Sequence, residues 1–218
     1  LHVRSRRQRQ MCIRDRELPM TFPLRTMVSS VALSALLATS LATAEQGPSF
    51  NCSEKMTGSI TALICQTPGL AALDRKLATI YRDALKNAGK RGNVLKAEQR
   101  GWIKGRDECW KTDDQQACVA DSYRRRIVEL QTGYGLVTSS APVMFDCASN
   151  GRISVTFFQT EPPSLTALYK GRQSLMLEAS SASGSRYLGQ NESFWEHQGE
   201  AAVTWGHGVE EMICKKAG

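Results

Sequence analysis

Residues 127–159 read IVELQTGYGLVTSSAPVMFDCASNGRISVTFFQ, and the spacing of apolar side chains changes its period inside this stretch. Up to Leu130 the apolar positions Tyr123, Ile127 and Leu130 recur at steps of four and three, which gathers them on one helix face. Beyond Gly151, Ile153, Val155 and Phe157 alternate, as side chains do when one face of a strand is buried. Residues 133–142 carry neither period and collect Gly, Ser and Pro, so they are read as a linker. The expected fold class is therefore α+β in two domains, helical before the linker and β after it.

Working upstream, Leu70, Leu73, Leu77, Ile80, Tyr81 and Ala84 predict a helix that starts near Pro68 and ends at Gly89. A second helix is expected from Asn93 as N-cap through Leu95, Trp102 and Ile103 to near Cys109, and a third from about Cys118 to Leu130. A short one is expected around Ile60–Ile64. Arg124, Arg125 and Arg126 are adjacent and fan around their helix, which reads as a solvated face. Working downstream, turn signals at Asn150-Gly151, Pro162-Pro163, Lys170-Gly171, Ser183-Gly184, Gly189-Gln190-Asn191, Gln198-Gly199 and Gly206-His207-Gly208 separate short apolar runs. Eight strands fit near 143–147, 153–159, 164–170, 173–178, 186–189, 192–197, 200–205 and 209–214, enough for a small antiparallel barrel or sandwich.

The 218-residue chain has a formal charge of +7, which invites a nucleic-acid reading. Residues 1–44 hold seven arginines and two acidic residues, so most of that charge lies there. From Met20 the sequence has Arg25, an apolar stretch from Met27 to about Leu41, and the small residues Ala42-Thr43-Ala44, the pattern of a secretory signal cleaved after Ala44. Residues 1–19, with Met11-Cys12-Ile13-Arg14-Asp15-Arg16, resemble an assembly artefact of the gene sequence and are set aside with residues 20–44. The stretch is too short for a stable membrane span, and no cysteine follows it directly, since Cys52 lies eight residues beyond Ala44. What remains carries a net charge of +2, basic over the helical half and acidic over the β half, and gives no support to a nucleic-acid partner.

Six cysteines remain after Cys12 is set aside: Cys52, Cys65, Cys109, Cys118, Cys147 and Cys214. An even count in an exported chain predicts disulfides. A Cys147–Cys214 bridge would join the first and last strands of a β-domain whose core is small. The other four allow three connectivities, among which proximity favours Cys52–Cys65 with Cys109–Cys118. No CxxC occurs and only His197 and His207 lie beyond residue 44, so no metal site and no cofactor is expected. Ser183 lacks a nucleophile elbow and a His–acid set, and no Gly-rich phosphate loop is present, so the chain is not expected to be an enzyme.

Residues 45–132 contain Ile64-Cys65-x-x-Pro68-x-Leu70-Ala71-Ala72-Leu73-Asp74-x-x-Leu77-x-x-x-Tyr81, then Glu98-Gln99-Arg100-x-Trp102-x-x-x-Arg106-Asp107-x-Cys109, then Cys118 and Tyr123. This region resembles the helical domain of the LprI-like lysozyme inhibitor family. Residues 143–218 contain Phe145-x-Cys147, Val155-Thr156-Phe157-Phe158, Ser181-Ala182-Ser183-Gly184-Ser185-Arg186-Tyr187, Phe194-Trp195, Ala201, Trp205 and Cys214. This region resembles the membrane-bound and periplasmic inhibitors of c-type lysozyme, which implies an eight-stranded antiparallel β-barrel. In that family a loop enters the lysozyme cleft, where a Ser and a Lys reach the two catalytic carboxylates that such a glycosidase needs. By position the Ser falls on Ser183 and the Lys on His197, with the Gly after that Lys falling on Gln198. Neutral His is shorter than Lys and charged only below about pH 6.5, so the contact either becomes pH-dependent or moves to Arg186 or Gln198.

The resemblance thus implies an exported lysozyme inhibitor, periplasmic or secreted, with c-type lysozyme as its partner. The residues it nominates for binding are Ser181, Ser183, Gly184, Arg186, Tyr187 and His197. Tyr187, Phe194 and Trp195 read as core or loop-bracing aromatics ahead of direct target contacts, and Trp102 and Tyr123 as packing between helices. The alternative function is an envelope module that contacts peptidoglycan or another wall hydrolase without inhibiting c-type lysozyme.

Overall fold

The computed structural model describes residues 47–52 and 59–217. The expected signal segment and its cleavage point after Ala44 lie outside the described residues. Among the described residues the chain forms helices α1 (Ile60–Gln66), α2 (Pro68–Asn87), α3 (Gly92–Asp107) and α4 (Gln115–Gly133). Eight strands follow: β1 (Val143–Asp146), β2 (Arg152–Phe158), β3 (Ser164–Tyr169), β4 (Arg172–Ala179), β5 (Ser185–Leu188), β6 (Glu192–His197), β7 (Glu200–Trp205) and β8 (Met212–Lys216).

Helix α2 begins with Pro68 in its first turn, where the missing N–H has no helical partner to lose, and ends before Gly89, whose φ of +49° is one that glycine adopts without strain. Leu70, Leu77 and Ala84 recur every seven residues on its buried face, with Leu73, Ile80 and Tyr81 beside them. Two expected starts move. Helix α3 begins at Gly92, which puts Asn93 inside the first turn instead of at the cap. Helix α4 begins at Gln115 because the Asp114 carboxylate accepts the Ala117 N–H at 2.9 Å, an N-cap that the apolar period does not register. Arg126 also departs from the solvated-face reading: it is buried, its Nε donating to Gln99 Oε1 and its Nη1 to Glu129. The helical core gathers Ile64, Leu70, Leu77, Leu95, Val119, Tyr123, Ile127 and Leu130.

The eight strands form a closed antiparallel barrel in sequence order, β1 pairing β8 to complete the ring. Phe145, Ile153, Val155, Leu165, Met176, Phe194, Ala201 and Val203 fill the interior, each at most 1% exposed, so the alternation seen in the sequence is the alternation between lumen and wall. Strand β8 begins three residues later than expected. Val209, Glu210 and Glu211 belong to the preceding loop, which Gly206 and Gly208 open with positive φ. Disulfides join Cys52–Cys65, Cys109–Cys118 and Cys147–Cys214, the last crossing 67 residues to tie the end of β1 to β8. Residues 138–140 extend the barrel edge: Ser140 N donates to Phe157 O and Gln159 N to Thr138 O, while Leu136 packs on the helical core.

Candidate functional site

Consecutive strands alternate in direction, so the β2–β3, β4–β5 and β6–β7 connections, the start of β1 and the end of β8 gather at one end of the barrel. One of these connections carries Ser181, Ser183 and Gly184, with Arg186 and Tyr187 following it in β5, and a second is preceded directly by His197 at the end of β6. Ser180–Gly184 links β4 to β5, and the Gln198-Gly199 turn links β6 to β7. The register Ser185↔Glu196 and Arg186↔Trp195 sets the first loop directly beside the residues that lead into the second.

The β4–β5 loop is held by its own polar groups. The Ser183 carbonyl accepts two bonds, from Ser181 Oγ at 2.7 Å and from the indole Nε1–H of Trp195 at 2.8 Å. Gly184 has φ +63°, and a Cβ placed on it would lie 2.2 Å from the Glu196 carbonyl oxygen and 3.1 Å from His197 Cβ. Only glycine allows the loop to lie this close to β6. Ser181, Ser183, Gly184 and Arg186 are exposed, Arg186 standing beside Trp195 on the outer wall.

The neighbouring turn has Gln198 at φ +53° and Gly199 at +84°, the double positive φ that a two-residue hairpin turn demands. The Gly199 N–H donates to Glu196 Oε1, and Lys216 N donates to Gly199 O, fixing the turn from both flanks. His197 is exposed and faces Glu200 in register, whose carboxylate lies 3.4 Å from Lys215 Nζ. Ser183 and His197 are thus brought to one exposed edge. Tyr187 is not: it is 7% exposed and packs edge-on against Phe157 at 5.9 Å in the barrel core. Burial pushes its phenol above the ordinary range, and Glu178 across the strand pair adds to the effect.

Of the two roles the sequence offered Trp195, core packing or bracing a loop, the structure shows the second: the residue is 41% exposed and its N–H is committed to the loop. The adjacent outer wall forms a shallow cavity of about 340 Å³ lined by Ser180, Ser181, Arg186, Ser193, Trp195 and Glu211.

The residues that carry the helical resemblance behave differently. Asp74, Trp102, Arg106, Asp107 and Tyr123 converge on one largely buried network. The Tyr123 hydroxyl donates to Asp74 Oδ1 at 2.8 Å and accepts from Arg106 Nη1 at 2.9 Å, while Arg106 also donates to Asp107. The other Asp74 oxygen accepts from both the N–H and Oγ of Ser49, and Trp102 meets Tyr123 edge-on at 5.3 Å. Burial drives the Tyr123 phenol far above its ordinary value, so it serves as a neutral donor and acceptor between two charges. Beside this network a cleft of about 440 Å³ runs between α2 and α3 under Phe50.

The chain thus joins a disulfide-bonded helical region to a closed eight-stranded antiparallel barrel, two of whose end loops lie side by side. The family described as "Lysozyme inhibitor LprI" matches residues 52–130, and "Membrane-bound lysozyme-inhibitor of c-type lysozyme" matches residues 145–212. Similar proteins are the lipoprotein LprI of Mycobacterium bovis (strain ATCC BAA-935 / AF2122/97) and of Mycobacterium tuberculosis strains CDC 1551 / Oshkosh and ATCC 25618 / H37Rv. Each is 32% identical over 195 residues, which covers 87% of this chain and 96% of the relative. The chain belongs to the LprI family, its LprI match preceding its match to the inhibitors of c-type lysozyme. Among the described residues no helix is long and apolar enough to cross a membrane, and no cluster of side chains is suited to hold a metal ion.

Proposed function

We propose that this protein inhibits c-type lysozyme by inserting the Ser181–Gly184 loop, with the His197 turn beside it, into the enzyme's cleft. The observation that carries the reading is the fixed, exposed presentation of Ser183 next to His197 at one barrel end. A lysozyme works with one carboxyl as acid and a second as nucleophile or stabiliser, so a hydroxyl and a nitrogen donor delivered together occupy both. The inhibitor itself offers no nucleophile set and acts by occlusion, not by turnover. It works outside the cytoplasm, in the periplasm or secreted, after removal of the signal ending at Ala44. Residues 45–132 and 143–218 are its two domains, joined by 133–142.

His197 stands where the resemblance places a lysine, and its imidazole is shorter and can accept as well as donate, so the contact on that side is weaker than a lysine would make or passes to Arg186 or Gln198. The substitution of Lys by His also gives substance to a second reading, an envelope module that docks on peptidoglycan or another wall hydrolase and leaves c-type lysozyme active.

A lysis assay separates them. The chain from Glu45, its Ser183→Ala variant and its His197→Lys variant are titrated against c-, g- and i-type lysozymes on wall suspensions. Inhibition confined to the c-type enzyme, weakened by Ser183→Ala, is the expected result. No inhibition of any c-type enzyme overturns it, and clearing of walls without lysozyme would make the chain an enzyme instead.

A further inference from the structure

We infer that Trp195 is a positioning residue for inhibition: its indole N–H holds the Ser183 carbonyl, and through it the hydroxyl that Ser183 presents. This inference rests on the lysozyme-inhibitor reading of the same loop and assigns a role to a side chain outside the nominated binding set. The Ser183 carbonyl takes two donors from opposite directions along the chain. Ser181 Oγ is local and belongs to the loop, whereas Trp195 Nε1 comes from the adjacent strand β6, twelve residues away. Only the second bond ties the loop to the barrel wall.

The placement of the ring supports this division of labour. Phe194 is fully buried and supplies core packing, while Trp195, the next residue, points outward and is 41% exposed. A large aromatic left this open contributes little to the core, and phenylalanine would serve the wall equally well. What phenylalanine lacks is the N–H. Register then makes the bond specific: Trp195 faces Arg186 across the β5–β6 pair, which leaves its indole beside the loop that precedes β5. Gly184 completes the arrangement by letting the loop backbone meet the Glu196 carbonyl closely. A loop fixed at both Ser183 and Gly184 loses less conformational freedom when it enters a cleft, which is how preorganisation improves affinity.

Trp195→Phe in the chain from Glu45 tests this directly, with two readouts. In the free protein, hydrogen exchange of the amides of residues 182–184 reports whether the bond holds the loop; faster exchange at an unchanged melting temperature is expected. In the lysis assay the inhibition constant rises about two- to tenfold, the worth of one ordinary hydrogen bond. A double-mutant cycle with Ser183→Ala then separates positioning from contact. If Trp195 acts through Ser183, its substitution costs little once the Ser183 hydroxyl is gone. Full additivity of the two substitutions would show that Trp195 touches lysozyme independently and would overturn the inference, as would unchanged loop exchange in Trp195→Phe. Failure of the wild-type chain to inhibit any lysozyme is a different result. It sinks the functional reading, and with it the inhibitory role of Trp195, whereas the exchange measurement still reports whether the indole orders the loop.

Discussion

Replacing Gly184 by alanine separates two costs that the barrel end combines. The first is conformational. Gly184 sits at φ +63°, where an L-residue is disfavoured by about 1 kcal/mol. The second is steric. The new Cβ would lie 2.2 Å from the Glu196 carbonyl oxygen, and that atom is backbone in a paired strand, so the loop must retreat by roughly 1 Å. A retreat of that size stretches the bond from Trp195 Nε1 to the Ser183 carbonyl, now 2.8 Å, past useful length, at about 1 kcal/mol, while the Ser181 bond moves with the loop and is kept. With the conformational cost the expected total is about 2 kcal/mol, which the protein expresses in one of two ways. If the loop is held in place, the barrel's melting temperature falls by about 8 °C or more. If it lifts away, most of the cost appears on binding and the inhibition constant rises by up to about 30-fold. Gly171 supplies the control: it has φ +75° at the opposite barrel end, with nothing within 4 Å of where an alanine Cβ would stand, so Gly171→Ala should show the conformational cost alone and full inhibition. Thermal unfolding and lysis assays on the two variants decide the matter. A Gly184→Ala protein that matches the wild type in both would refute the reasoning, since neither the close approach nor the Trp195 bond would then matter.

Three further outcomes follow from the same geometry. His197→Lys should inhibit c-type lysozyme more strongly than the wild type, read as a lower inhibition constant in the lysis assay, because the longer lysine brings an ammonium to the enzyme's carboxylates. Cys147→Ser opens a loop of 67 residues whose closure is worth about 4 kcal/mol, so barrel unfolding by denaturant should shift to markedly lower concentration, while the helical region keeps its own transition. Tyr123 has a phenol pushed far up by burial, so its contribution to stability is complete below the unfolded value of about pH 10 and is lost as pH rises from there through the folded value. Tyr123→Phe should therefore destabilise the helical region at neutral pH by about 1–3 kcal/mol, by stripping Asp74 and Arg106 of a buried partner, and should also flatten its alkaline melting profile, read by circular dichroism at 222 nm.

The architecture was legible because it rests on periods. Steps of three and four placed Leu70, Leu77 and Ala84 on one helix face, and alternation placed Ile153, Val155 and Val203 inside the barrel. Where single polar groups decide an outcome, period is silent. The Asp114 carboxylate starts α4 three residues before Cys118, and Arg126 is drawn inward by Gln99 and Glu129, neither of which is visible as hydrophobic spacing. The site divides along the same line. Ser181-Ala182-Ser183-Gly184 stood out as a motif, and the structure shows why Gly184 must be glycine. The bond from Trp195 to the Ser183 carbonyl depends on the register of β5 against β6, a relation between distant residues that a linear reading does not contain.

Motifs of similar strength in the two halves consequently mean different things. In the helical half the matched positions Asp74, Arg106 and Tyr123 face one another with little contact to solvent, and removing any one leaves a buried charge or hydroxyl without its partner. Such residues specify a fold, and their presence says little about what the surface binds. In the barrel half the matched Ser181, Ser183 and Gly184 are exposed, and their hydrogen bonds shape a loop instead of a core. An exposed loop held this firmly, with Gly184 and Trp195 committed to it, is unexplained by packing alone and is what a preorganised contact requires. The inhibitory reading is accordingly placed on the barrel, and inhibition by residues 45–132 alone, measured with the barrel removed, would move it to the helices.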